Sequence, residues 1–234
     1  MYQLFNTPVW FNGFDLLIEA ISLVVALFIA GYSWKLYKLS KENKYGYLSL
    51  AFILVALGLF FQIFTSGALY YSSLRDVIVD ALGPAVGEGL QFANLFYRAA
   101  FFLQMLTMLG AWLLIFFISQ KSRERLHRYY EVSQIFLFVY LITLISIVSN
   151  FTYFVFYLTS TVILGLSVLH YYKNYLNTQN KNAALVMTSF LLILFSNIFF
   201  VFVFLFPIFY VLGEILMLFG FLLLLYTYRR VTRK

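Results

Sequence analysis

Long apolar runs separated by short polar stretches dominate this chain, and they restrict the solvent in which it can fold. Of its 234 residues, 63% are hydrophobic and 11% carry a charge. A soluble domain of this size leaves too much of its surface in water to hide so many apolar side chains. The composition therefore predicts an integral protein of the lipid bilayer.

Seven segments are long enough to cross a membrane, because a spanning helix needs about 20 mostly apolar residues. They cover approximately residues 14–37, 46–70, 92–118, 132–149, 152–172, 183–206 and 208–228. We predict an all-α bundle of seven transmembrane helices that forms a single domain over residues 1–234. Residues 72–91 would form its long outer loop.

Basic residues indicate the orientation of this bundle. They cluster after the first, third, fifth and seventh segments, and those four clusters hold nearly all of the 16 lysines and arginines. The first cluster consists of Lys35, Lys38, Lys41 and Lys44. Positive charge beside short loops is retained in the cytoplasm. The pattern predicts an N-out, C-in protein of the cell membrane, and contact with anionic lipid or an acidic partner is the alternative interpretation.

A weak internal repeat links the two halves of the chain. A shift of 138 positions places Leu50–Phe61 on Thr188–Phe199, and a shift of 110 places Leu103–Leu114 on Gly213–Leu224. The match predicts two parallel three-helix repeats joined by the fourth helix, a 3+1+3 arrangement about a pseudo-two-fold axis along the membrane normal. Chance resemblance between apolar helices is the alternative.

Polar residues inside the predicted spans are candidates for function, because a charge within a membrane is costly to keep there. At a rise of 1.5 Å per residue, these candidates fall in the outer half of the bundle. They are Glu19, Gln62, Arg98, Gln104, Asn197 and Glu214.

Two interpretations of these charges stay open. Arg98 could pair with Glu214 or Glu19 and simply lock helices together. However, two carboxylates and one guanidinium leave one carboxylate unpaired. That carboxylate would be protonated, or would meet a cation, a proton or a polar ligand from outside.

Other kinds of chemistry find little support in the sequence. The chain has no cysteine, and its two histidines have no further ligands at suitable spacing, so we expect neither a metal site nor a cofactor. No catalytic motif occurs, and we expect no enzyme activity and no nucleic-acid partner. The seventh segment has no lysine to form a Schiff base with retinal. No receptor or transporter family signature can be matched residue by residue.

Three functions fit these observations. The first is a non-enzymatic, receptor-like binding or sensing module whose outer polar cluster holds a small ligand or contacts another membrane subunit. The second is a small-solute or ion transporter built from the two repeats. The third is a purely structural subunit of a larger membrane complex.

Overall fold

The architecture comes from a computed structural model, which describes residues 8–72, 76–77, 89–120 and 153–232. A short 3-10 helix, Val9–Phe11, precedes six α-helices, and the described residues include no strand. The helices are α1 (Phe14–Ser40), α2 (Asn43–Tyr70), α3 (Gly89–Gln120), α4 (Tyr153–Thr178), α5 (Lys181–Val201) and α6 (Ile208–Thr232).

Within the described ranges, six helices are long and apolar enough to cross a bilayer. Their outward faces carry large apolar side chains, such as Phe28, Phe60 and Phe219, which are more than half exposed. Such a surface is stable in lipid and unfavourable in water. The chain is therefore a multi-pass helical membrane protein. The predicted helix at 132–149 and most of the loop at 72–91 lie outside the described residues, so those predictions stay predictions.

The six helices close into a ring in chain order. α1 packs against α2, α2 against α3, α3 against α4, α4 against α5, α5 against α6, and α6 returns to α1. Aromatic rings fill the centre, and Phe52 of α2 meets Phe221 of α6 edge to face with ring centroids 6.4 Å apart. The buried interior is thus shared by helices that are distant in sequence.

Two neighbouring pairs of helices in this ring are parallel. At the start of α4, Tyr153 packs against Phe101 of α3, and further along both helices His170 packs against Phe116. In the other pair, the Tyr210 hydroxyl near the start of α6 reaches the Glu19 carboxylate near the start of α1. α1, α4 and α6 therefore begin at the same end of the ring, which we call the carboxylate end.

The opposite end, which we call the turn end, holds two tight helix connections. Lys41 between α1 and α2 and Gln179 between α4 and α5 both have a positive φ, at 59° and 48°. The N–H of Lys41 donates to the Tyr37 carbonyl at 2.8 Å, and the N–H of Gln179 donates to the Tyr175 carbonyl at 2.7 Å. Both connections thus use the left-handed residue that commonly ends an α-helix.

Most helices extend a few residues beyond the predicted spans, because polar residues at helix ends continue the helix outside the apolar stretch. The helix predicted at 183–206 is the exception, since α5 ends at Val201. The N–H of Phe202 bonds to the carbonyls of Ile198 and Phe199, which tightens the last turn. Pro207 then disfavours helical backbone in the residue before it.

Candidate functional site

A chain of side-chain hydrogen bonds crosses four helices in the interior. Nε2 of Gln62 on α2 donates to Oε1 of Glu19 on α1 at 2.6 Å, and Nε2 of Gln104 on α3 donates to Oε1 of Gln62 at 2.9 Å. The Tyr153 hydroxyl on α4 donates to Oε1 of Gln104 at 3.3 Å. Every donor points towards Glu19, so its carboxylate terminates the chain.

Helical spacing explains why these residues face inward. On α1, one buried stripe combines the acids with small residues, and the corresponding stripe on α2 includes Gln62. Small side chains let helices approach closely, and polar ones then hydrogen-bond across the interface. The stripe on α1 contains Asp15, Glu19, Ser22, Ala26, Ala30 and Ser33.

Asp15 is a buried acid whose two oxygens are both hydrogen-bonded. Its Oδ1 accepts from the backbone N–H groups of Gly13 and Leu16, at 2.8 and 2.9 Å, and its Oδ2 accepts from the Tyr70 hydroxyl at 2.7 Å. These bonds fix the start of α1 to the end of α2. Asp15 therefore has a structural role that accounts for its presence in the interior.

Glu214 on α6 differs sharply from Asp15. Its side chain is completely buried, and neither carboxylate oxygen has a hydrogen-bond partner within the described part of the chain. Oε2 of Glu19 is likewise buried without a partner. The two glutamates lie close enough to interact electrostatically. Among the described residues, no lysine or arginine is buried with them.

The ion pair predicted between Arg98 and one of the glutamates does not hold these acids. Arg98 lies on α3 with an exposed side chain, whereas both glutamates are buried. Oε1 of Glu19 accepts its hydrogen bonds from Gln62 and Tyr210 instead. The charge count made from sequence therefore changes, because neither Glu19 nor Glu214 has a buried lysine or arginine beside it within the described part of the chain.

A small cavity lies beside the hydrogen-bonded chain. Its polar lining comes from Gln62 and Asn197, and its apolar lining includes Met108, Trp112 and Met217. The cavity has room for about one water molecule. Nδ2 of Asn197 donates to the Ile193 carbonyl at 2.9 Å within its own helix. Asn197 thus belongs to the cavity and takes no part in the chain from Glu19 to Tyr153.

Buried tyrosines are the site residues that sequence reasoning missed. Tyr210 fits an outer aromatic belt by position, but it is only 2% exposed, and its hydroxyl donates to Glu19 at 3.4 Å. Tyr153 and Tyr157 are near enough to interact electrostatically with Glu19. Their spacing of four residues on one helix is the signal that could have placed them together on an inward face.

The side chains of this cluster offer a ligand oxygen atoms that act as acceptors. Within the described residues, no group of three or more His, Cys, Asp or Glu side chains is arranged to hold a metal ion. Within the described residues, the buried carboxylate oxygens without a hydrogen-bond partner are Oε2 of Glu19 and both oxygens of Glu214. They can accept a proton, a hydrogen bond or a small cation.

The fold and site define the chain as a helical membrane protein with a buried, incompletely partnered carboxylate pair. Comparison with protein-family models gives no match, and comparisons with curated proteins and with solved structures find no similar chain. The functional argument therefore rests on the geometry of the site.

Proposed function

We propose that the chain is a non-enzymatic binding or sensing module of the cell membrane, and that its ligand is small and reaches the buried glutamates from the outer side. The observation that carries this proposal is that Glu214 is wholly buried and that neither of its carboxylate oxygens has a hydrogen-bond partner among the described residues. We place its ligand in the class of protons, small cations and small polar molecules.

The difference in hydrogen bonding between Asp15 and Glu214 speaks against a purely structural role for both acids. A buried polar group left without partners costs free energy, whereas a satisfied one can hold helices together. Asp15 accepts three hydrogen bonds and links two helices, as a structural residue should. Glu214 accepts none from the described residues, and a buried group left in that state lowers stability. A ligand that satisfies Glu214 would explain why such a residue is present.

The parallel packing of α3 and α4 supports the seventh helix. The chain leaves α3 at Gln120, about 28 Å along the helix from Phe101, and it enters α4 beside Phe101. Gln120 and Tyr153, the described residues on either side of this connection, therefore lie at opposite ends of the ring. A helix over residues 132–149 would span about 27 Å. The prediction of seven helices thus agrees in length with the distance to be crossed.

The ring also supports the two-repeat arrangement. Half a turn about its centre exchanges α1 with α4, α2 with α5 and α3 with α6, and every observed contact between neighbours maps onto another. Lys41 and Gln179, the left-handed turn residues, are separated by the same 138 positions as the repeat. Their hydrogen-bond acceptors, Tyr37 and Tyr175, are too.

Burial refines the register of the second superposition. The shift of 110 places Trp112, which is 1% exposed, on Leu222, which is 40% exposed. A shift of 109 places Trp112 on Phe221 and Met108 on Met217, both of them buried. The repeat we propose therefore pairs α3 with α6 one residue away from the alignment chosen on sequence alone.

Exposed basic residues support the N-out, C-in orientation. Lys38, Lys41, Lys173 and Lys181 all lie near the turn end with exposed side chains. Positive charge of this kind favours the cytoplasmic side. The carboxylate end would then face outward, as a site for external ligands requires. The basic residues could also contact a further membrane subunit.

Ligand-dependent stability tests the proposed function. The full-length protein in lipid nanodiscs would be heated with a panel of monovalent cations and small polar solutes, because a ligand that binds only the folded state raises the melting temperature. We expect at least one probe to raise it, and Glu19→Gln and Glu214→Gln to abolish the effect. Glu42→Gln is the matched control, because Glu42 is exposed and pairs with Lys44 away from the site.

The same experiment can also contradict this proposal. If no probe and no change of pH alters the stability of the wild type, the chain is no binding module, and the structural-subunit interpretation takes its place. An equal response in Glu19→Gln, Glu214→Gln and the wild type would place the ligand elsewhere.

A transporter is the second candidate, and the cavity favours it. Met108 and Met217 place this space about one turn deeper into the ring than Gln104 and Glu214. A solute that moves from the glutamates towards the turn end would reach this cavity next. Flux into liposomes that Glu214→Gln abolishes would support transport, whereas ligand binding without flux supports the sensing module.

A further inference from the structure

The two buried glutamates receive different numbers of hydrogen-bond donors. Oε1 of Glu19 accepts from Nε2 of Gln62 at 2.6 Å and from the Tyr210 hydroxyl at 3.4 Å. Glu214 accepts from no group in the described part of the chain. Hydrogen bonds donated to a carboxylate stabilise its charged form. Among the described residues, Glu19 is thus the better hydrogen-bonded of the two acids.

Close packing around Glu214 limits the size of what it can bind. A Cβ atom added at the preceding residue, Gly213, would lie 2.7 Å from Cε1 of Phe200, so α5 and α6 pack tightly next to the position of Glu214. Phe200 in turn stacks on Tyr157 with ring centroids 4.7 Å apart and packs against Tyr210 at 5.6 Å. Since the nearby cavity holds about one water molecule, an organic ligand does not fit without rearrangement.

We propose that Glu214 takes up and releases a single proton, with Glu19 as the hydrogen-bonded acid beside it. This inference rests on the proposed function and names its ligand. A hydronium ion from the carboxylate end transfers its proton to an oxygen of Glu214, so an O–H bond of hydronium breaks, an O–H bond of the carboxylic acid forms and a water molecule remains. Release reverses these steps.

The surroundings of Glu214 contain few other groups that could take the proton. α1 contributes Asp15 and Glu19, α4 contributes Tyr153 and Tyr157, and α6 itself contributes Tyr210. Among the described residues, α2, α3 and α5 contribute the amides Gln62, Gln104 and Asn197, which do not titrate. Asp15 is fully hydrogen-bonded as an acceptor. Glu214 is therefore the acid with the fewest hydrogen-bond donors among the described residues.

Infrared difference spectroscopy tests this assignment on the full-length protein in nanodiscs. A protonated carboxylic acid has a C=O stretching band that a carboxylate lacks, and the band shifts in heavy water. We expect the wild type to show this band for one buried acid and to lose it on titration to alkaline pH. Glu214→Gln should lack the band, whereas Glu19→Gln should retain it at a shifted frequency and Glu42→Gln should leave it unchanged.

Several outcomes would overturn the inference. They are the absence of the band from the wild type at every pH, its persistence in Glu214→Gln, and its loss in Glu19→Gln alone. Should Glu214→Gln fail to fold, Glu214→Met replaces the acid by an apolar side chain of similar length and gives the same comparison.

The proposed function and this inference fail in different ways. A melting temperature that responds to a cation or a polar solute, in a protein without the band, keeps the binding module and overturns proton uptake. A band assigned to Glu214, together with stability that responds to pH alone, supports both and makes the proton the ligand. Neither a band nor any change in stability with solute or pH would remove both.

Discussion

Nε2 of Gln62 lies 2.6 Å from Oε1 of Glu19 and donates a hydrogen bond that joins α2 to α1 in the interior of the ring. Gln62 also accepts a hydrogen bond from Gln104, so a single amide connects a carboxylate to a third helix. Both residues are nearly inaccessible, with Glu19 at 0% and Gln62 at 3% exposure. The position of the Glu19 carboxyl group is therefore fixed by its neighbours on other helices.

Replacement of Gln62 by leucine should destabilise the protein measurably. Gln62→Leu removes two hydrogen bonds and leaves the Nε2 of Gln104 without its acceptor. A buried group left unsatisfied in this way costs about 1–3 kcal/mol. Unfolding in mixed micelles measures the loss, and Gln120→Leu serves as the control because Gln120 is exposed at the end of α3. Equal stability of the two variants would contradict the hydrogen-bonded chain.

Two tyrosines should differ in their contribution to stability. The Tyr70 hydroxyl donates to Oδ2 of Asp15 at 2.7 Å, whereas the Tyr210 hydroxyl donates to Oε1 of Glu19 at 3.4 Å. Short hydrogen bonds to charged groups contribute about 1.5–3 kcal/mol, and long ones less. We expect Tyr70→Phe to lower the free energy of unfolding more than Tyr210→Phe does. The reverse order would mean that Asp15 is not the structural acid described above.

Close helix packing predicts opposite effects at two glycines. A Cβ atom at Gly220 would lie 3.0 Å from the backbone oxygen of Ser189 and 2.7 Å from Cγ1 of Ile193, so α5 and α6 would have to separate. At Gly165 of α4, no heavy atom lies within 4 Å of the added Cβ. Gly220→Ala should therefore destabilise the fold, whereas Gly165→Ala should be neutral or stabilise it by up to about 1 kcal/mol through helix propensity. Thermal unfolding of both variants measures the difference, and similar melting temperatures would contradict the packing.

Removal of the unpartnered acid should stabilise the protein in the absence of ligand. Glu214→Met keeps a side chain of similar length and eliminates two buried oxygens that have no partner among the described residues. The relief should amount to about 1–3 kcal/mol. A higher melting temperature combined with lost ligand or proton response would show that Glu214 is kept for function at a cost in stability. A marked decrease would instead indicate a structural partner for this carboxylate.

The sequence predicted the class of protein, because length and apolar composition alone determine whether a helix can cross a bilayer. It also predicted which polar residues face inward, since the stripe with Asp15 and Glu19 follows helical spacing and is buried throughout. The predicted helix ends were less exact, because the end of an apolar span does not show where the polar residues that follow it leave the helix. α5 ended early for a local reason, the tight turn before Pro207.

Hydrophobic periodicity and charge did not predict which side chains pair with one another. Opposite charge favoured Arg98 as the partner of the glutamates, but Arg98 is exposed on α3 and Gln62 and Tyr210 bond to Glu19. Which residues of distant helices meet depends on the rotation of each helix about its axis. Hydrophobic periodicity gives that rotation only approximately, and Tyr210 fits a membrane-interface position equally well.

Cysteine labelling tests the orientation and the seventh helix together. The natural chain has no cysteine, so each single-cysteine variant reports one position without background. We expect Lys41→Cys and Arg125→Cys to react with an impermeant maleimide only after the cells are permeabilised, because both belong to predicted cytoplasmic segments. Asn150→Cys should react in intact cells, since a helix over 132–149 would return the chain to the outside before α4. If Arg125→Cys and Asn150→Cys react from the same side, no helix crosses between them and the chain has an even number of spans. Labelling of Lys41→Cys in intact cells would mean that the whole protein has the opposite orientation. The buried glutamates would then take their ligand from the cytoplasm.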